Sequence, residues 1–150
     1  MQFDDIIFLV NRQVTFNEWV SQVLPEESPI DVVAYCFNIS ETIGQEYAIE
    51  VIGASVYDEN NSAWPCHETW SGRPSAYYIP FREYGSCWED AQAGIVSLVK
   101  GFLGQTIDRG AQVLLSSRAV AVGFVDGDLI LVCPTPRTSD DRTCGDVPAR

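Results

Sequence analysis

Apolar and polar positions alternate along this chain with two different periods, and the switches between them mark its elements. Phe3, Ile6, Ile7, Leu9, Val10, Val14, Phe16, Trp19, Val20, Val23 and Leu24 recur with a spacing closer to helical than to alternating. Within that stretch Thr15 predicts an N-cap, and Glu18 three residues later completes a capping box for a helix from Phe16 to Leu24, which Pro25 stops. Asp31 to Ile39 is β-branched and aromatic, and Tyr47 to Val56 alternates. The two predict an antiparallel hairpin across Ser40 to Gln45, with Gly44 supplying the freedom of the turn. Tyr77 to Phe81 reads as another strand, ended by Pro80. Trp88, Ala91, Ile95, Leu98, Val99, Phe102 and Leu103 define one face of a helix from Trp88 to Leu103, with Ser86 or Cys87 near its start. Ala119 to Val125 and Leu129 to Cys133 flank Asp126-Gly127-Asp128, residues that tolerate the positive φ of a tight hairpin turn.

Two segments break the pattern. Tyr57 to Arg73 gathers Asp58, Glu59, Asn60, Asn61, Ser62 and Pro65 around Trp64 and Trp70, which is loop composition. From Pro134 onward Pro, Thr, Ser, Asp and Arg replace the apolar residues, which predicts a single domain over 1–133 followed by a disordered tail over 134–150. The order helix, strands, helix, strands predicts an α+β fold, a mostly antiparallel sheet with helices packed on one face.

Charge changes this picture more than composition does. Between Arg12 and Arg73 the chain runs 60 residues without a Lys or Arg and places ten carboxylates, Glu18, Glu26, Glu27, Asp31, Glu41, Glu46, Glu50, Asp58, Glu59 and Glu68. The other 90 residues nearly balance, with 11 acids against 9 bases, so most of the net charge of -12 lies in one stretch. A field of one sign repels nucleic acid and anionic membranes and steers a basic partner into contact. No run approaches the ~20 apolar residues of a membrane span. Ile6 to Val10 is only five residues long, behind Asp4 and Asp5, and lacks the basic leader and cleavage site of a secretory signal. The expectation is a cytoplasmic protein that binds neither nucleic acid nor membrane. Five cysteines, Cys36, Cys66, Cys87, Cys133 and Cys144, are an odd number at irregular spacing and read as reduced thiols.

Candidate chemistry is sparse. Cys66-His67-Glu68 joins three zinc-ligating types around the sole histidine, but the paired spacing of a structural zinc site is absent, so neither a metal nor another cofactor is expected. Cys36, Cys87 or Cys133 would form a nucleophile pair with His67 only through the fold, and Cys36 and Cys133 sit in apolar strand patterns where cysteine serves as a small hydrophobe. Glu89 and Asp90 fit the first turn of a helix, where negative charge meets the positive end of the macrodipole. Asp126 and Asp128 fit a hairpin turn, and Asp58 and Glu59 a solvated loop. Phosphate loops and basic stripes are missing. Trp64, Trp70, Tyr77, Tyr78, Phe81, Tyr84 and Trp88 are dense enough to serve either as core or as interface anchors.

Val33-Ala34-Tyr35-Cys36-Phe37-Asn38, the acidic and aromatic loop Asp58 to Glu68, Trp88-Glu89-Asp90-Ala91, and Arg118 through Leu129 together resemble the small immunity proteins of bacterial polymorphic toxin and contact-dependent growth inhibition systems. The likeness spans roughly residues 31 to 132 and consists of strands and turns, not catalytic signatures. It implies a non-enzymatic cytoplasmic protein, encoded beside a toxin, that neutralises the toxin by tight binding; many such targets are nucleases or other domains with basic active sites. The residues expected at the contact are Asp58, Glu59, Trp64, Glu68 and Trp70, with Asp126 and Asp128. The alternatives are a small hydrolase-type enzyme using His67 with a nearby Cys or carboxylate, and a non-catalytic subunit of a larger bacterial assembly.

Overall fold

The computed structural model describes residues 14–125 and 127–133. The helical spacing over residues 3 to 13, the tail 134–150 and Asp126 lie outside the described residues. Helix α1 (Phe16–Val23) begins as its capping box requires: Thr15 Oγ1 accepts from the Glu18 amide, and Glu18 Oε1 accepts from the Thr15 amide, both at 3.1 Å. Strands β1 (Ala34–Glu41) and β2 (Glu46–Ala54) form the expected antiparallel hairpin, with Phe37 opposite Val51. At their turn the positive φ falls on Gln45 (62°), not on Gly44. Thr42 holds the turn from both sides, its Oγ1 accepting from the Gly44 amide and its carbonyl from the Gln45 amide, so the left-handed residue is the one that rejoins β2.

The segment 57–73, expected to be a loop, contains a 3-10 turn (Trp64–Cys66) and strand β3 (Glu68–Ser71). Strand β4 (Tyr77–Pro80) follows, and Pro80 leads directly into the short helix α2 (Phe81–Tyr84). Both β3 and β4 pair antiparallel with β2, β4 along Glu46 to Ile49 and β3 along Ile52 to Ala54, so they share one side of it end to end. Helix α3 occupies Trp88–Leu103 as its apolar face predicts, and α4 (Arg109–Leu115) is a seven-residue helix that the spacing does not announce. Strands β5 (Ala119–Phe124) and β6 (Leu129–Cys133) complete a six-stranded sheet in which β1 lies between β2 and β5. Among the described strand pairs, only β1 and β5 run parallel.

The fold is therefore α+β, and its helices pack on one sheet face. Tyr35, Phe37, Ile39, Tyr47, Ile49, Val51, Val120 and Val122 point into this layer against Phe16, Trp19 and Val20 of α1, Ile95, Val99 and Phe102 of α3, and Val113 and Leu114 of α4. The other face carries small residues, Ala34, Cys36, Ala54, Ala119 and Ala121, beside Ile52. Trp64 from the 3-10 turn lies on that shallow floor, only 3% exposed, and makes a second core.

One tie between helices yields a prediction. Asp108 caps α4, its Oδ1 accepting from the Gly110 and Ala111 amides at 2.7 and 3.2 Å, while its Oδ2 accepts from the Ser21 hydroxyl on α1 at 2.7 Å. Burial alone would raise the carboxyl's pKa, but the hydrogen bonds from Ser21, Ala111 and Gly110 together outweigh it and leave it lowered. A depressed carboxylate contributes stability above its unfolded pKa and loses that contribution as pH falls through its folded pKa. Asp108→Ala is expected to lower stability by ~1–2 kcal/mol near neutral pH. In urea denaturation the gap to wild type narrows on acidification; a gap of constant size would remove the ionised carboxylate from the cap.

Candidate functional site

Loop 55–67 crosses the small-residue face and is built from turns. Asp58 Oδ1 accepts from the Asn60 amide at 2.9 Å, and Asn61 Oδ1 accepts from the Ala63 amide at 3.0 Å. These short-range bonds hold the chain in a form that leaves the Asp58 and Glu59 carboxylates exposed. Trp64 turns the other way, into the core, with its ring edge-on to Tyr57 at 5.5 Å. The Arg118 guanidinium lies over the opposite partner of that pair, 5.5 Å from the Tyr57 ring centre. As placed, the Trp64 indole is packing for the second core and offers a partner no surface.

Downstream of the turn the expected contact residues separate. Glu68 is held by Arg73, whose Nη2 reaches both carboxylate oxygens at 2.6 and 2.7 Å, and Arg73 also pairs with Glu50 at 3.5 Å. Trp70 belongs to the helix-bearing face, half-buried and edge-on to Tyr35 at 6.0 Å. Strand β3 thus puts Trp64 and Trp70 on opposite sides of the sheet. Asp128 is exposed at the other end of the molecule, where its carbonyl accepts from the buried Gln92 amide at 3.0 Å. Of the expected contact set, Asp58 and Glu59 form one exposed pair and Asp128 stands apart.

Among the described residues, the His67 side chain makes no hydrogen bond to a cysteine or carboxylate. His67 is exposed at the end of the 3-10 turn, with its carbonyl accepting from the Ser55 amide at 3.0 Å. Cys36 is fully buried and its thiol is pushed up to about 12 by that burial, so it carries no thiolate near neutral pH. Cys87 is exposed, and its thiol donates to Glu89 Oε1 at 3.0 Å. Among the described residues no three of His, Cys, Asp and Glu gather as metal ligands. None of the described helices is long and apolar enough to cross a membrane.

A feature that the linear reading misses lies where β1 and β5 end. These parallel neighbours part at their carboxyl ends, β1 turning back into β2 on one side and β5 into β6 on the other. Such a divergence opens a crevice between the two exits. Here it is a cleft of about 550 Å³ lined by Ile39, Ser40, Glu41, Trp88, Phe124, Val125 and Gly127. Beside the cleft, Gly123 lets β5 and β6 approach closely, since a Cβ there would sit 2.9 Å from the Asp128 carbonyl oxygen. Gln92, 4% exposed, ties the same junction by donating to the Val122 and Asp128 carbonyls at 3.1 and 3.0 Å. Trp88 meets Phe124 edge to face at 6.1 Å yet stays 46% exposed, and Val125 is 63% exposed.

Carboxylates surround this end of the sheet. Glu41 lines the cleft, Glu46 opens β2, Glu83 lies on α2, Glu89 and Asp90 occupy the first turn of α3, and Asp128 precedes β6; the described base on these segments is Arg82. The buried Tyr47 hydroxyl, which donates to the Gly85 carbonyl at 2.8 Å, registers that field. Its pKa is raised first by burial and then by electrostatic interaction with Glu41, Cys87 and Asp90.

Comparison of the chain with protein-family models, with curated proteins and with solved structures finds no match.

Proposed function

We propose that this chain is a protein-binding module of the immunity type, a cytoplasmic inhibitor that captures and neutralises a basic toxin domain encoded beside it. The observation that carries this reading is the state of the acidic stretch. Of its ten carboxylates Glu26, Glu50 and Glu68 pair with a base among the described residues, and the other seven have no base partner among those residues. Such carboxylates repel one another in the free protein, a cost that a basic partner relieves on contact. Asp58 and Glu59 present this charge on a loop held by its own turns, and the cleft end of the sheet presents more of it. A preformed acidic surface accelerates encounter, and apolar contact slows release. Nucleic acid and anionic lipid are disfavoured as ligands by the same charge.

The test is co-expression of the full chain with the product of the adjacent reading frame. The expected result is a complex that survives size-exclusion chromatography, contains a basic partner domain, and relieves the growth arrest that the partner causes alone. Undiminished arrest, with both proteins soluble and eluting separately, would remove the inhibitor reading.

A further inference from the structure

We propose that the cleft between the ends of β1 and β5 is a receptor for an arginine side chain carried on a loop of the basic partner, with the guanidinium lying against Trp88 and paired with Glu41. The inference rests on the binding reading above for the source of the arginine, and on the cleft alone for its chemistry.

Three features of the cleft select this occupant. Its accessible lining is largely apolar, from Trp88, Phe124 and Val125, so it takes the methylene stem of a long side chain. Its aromatic wall is accessible, because Trp88 is 46% exposed although it packs edge to face with Phe124. Tryptophan is the best of the aromatic faces for a cation, and the flat guanidinium stacks where an ammonium only approaches as a point charge. Its polar lining ends in Glu41, an exposed carboxylate that pairs with no base among the described residues and suits the fork of a guanidinium.

One local effect opposes a cation. Trp88 begins α3, and a helix N-terminus carries roughly +0.5 of a charge. Glu89 and Asp90 occupy that same first turn and outweigh it, with Glu41 on the facing strand adding to them. The balance at the mouth is negative, which suits a cation and disfavours a carboxylate or phosphate. The volume of about 550 Å³ falls within the ~300–1,000 Å³ of small-ligand sites. It therefore accommodates the residues flanking an arginine as well as its side chain, as a loop tip requires.

The experiment is an NMR titration of the isotope-labelled full chain with N-acetyl-arginine-N-methylamide, its citrulline counterpart and free L-arginine. The capped arginine is expected to bind saturably, with a Kd on the order of millimolar for one side chain, shifting the Trp88 indole N–H and the Ile39, Ser40, Val125 and Gly127 amides. The uncharged citrulline compound binds at least tenfold more weakly. Glu41→Gln, at an exposed position that does not endanger folding, weakens the capped arginine about fivefold, and Trp88→Leu abolishes the localised shifts while the rest of the spectrum is retained. Shifts that never saturate and spread to Asp58 and Glu59, or citrulline binding as well as arginine, would overturn the proposal. Free L-arginine binding tenfold tighter than the capped form would also overturn it, by making the cleft a metabolite site. None of these outcomes depends on the co-expression experiment, so failure of the inhibitor reading and failure of the cleft are separately visible.

Discussion

Trp64→Ala is expected to destabilise the protein by ~3–5 kcal/mol, the range for removing a large aromatic side chain from a packed core. The floor beneath the indole consists of Ala34, Cys36, Ala54, Ala119 and Ala121, side chains too short to move into the space it vacates. They stand on β1, β2 and β5, the middle of the sheet, whose backbone is fixed from the other side by the helix layer. The cavity therefore stays open. Tyr57, which packs edge-on against Trp64, loses its support in the same substitution, and loop 55–67 loses its anchor to the sheet. Two measurements follow. Chemical denaturation gives the stability loss, and thiol labelling of Cys36, fully buried beneath Trp64 in the native state, accelerates relative to wild type. A loss below ~1 kcal/mol with Cys36 still protected would mean that the indole belongs to the surface after all.

That outcome bears on what the linear chain conveys and what it conceals. The apolar face of α3 is legible because sixteen residues give the 3.6-residue period several turns in which to repeat, and the positions it marks, among them Ala91, Ile95, Val99 and Phe102, are buried. The capping box of α1 is legible because both of its partners lie within three residues. Strand β3 is not. Glu68-Thr69-Trp70-Ser71 carries one apolar residue, and its pairing comes from a short stretch of β2 at Ile52 to Ala54. Helix α4 is too short for a period to repeat, and its start depends on Ser21 as well as on its own Asp108.

The candidate site shows the same division. Trp64 and Trp70 lie six residues apart in a segment of loop composition, so their grouping on one surface follows naturally from sequence distance. The entry of the chain into β3 between them sends one ring to each face of the sheet. Asp58 and Glu59 remain exposed because turn residues hold them locally, which is the kind of arrangement a sequence does display. The cleft has no linear signature. Glu41, Trp88 and Val125 meet only because β1 and β5 are parallel neighbours, and alternation within a strand does not reveal which strand will lie beside it. The available signals were indirect: a tryptophan at the first position of a helix, followed by two acids, and a valine one step beyond the end of a buried strand.

Reversing charge at the exposed pair, Asp58→Lys with Glu59→Lys, is expected to slow association with the basic partner about 10- to 100-fold at low ionic strength, within the range that electrostatic steering commands. Two changes of sign remove four units of charge from a protein whose net charge is -12. Steering acts over the Debye length, about 10 Å at 0.1 M salt, so the difference between variant and wild type contracts as salt rises. Wild-type association falls steeply with salt and the variant's falls less, because attraction at this loop has been replaced by repulsion. Dissociation separates the surfaces. A loop that only steers leaves the off-rate unchanged, whereas a loop buried in the interface raises it as well. Stopped-flow association across a salt series, with dissociation followed by competition, reads both. Rates equal to wild type at every salt concentration would exclude Asp58 and Glu59 from the encounter surface, and leave the cleft end, with Glu41, Glu46, Glu89 and Asp90, as the charge that a basic partner meets first.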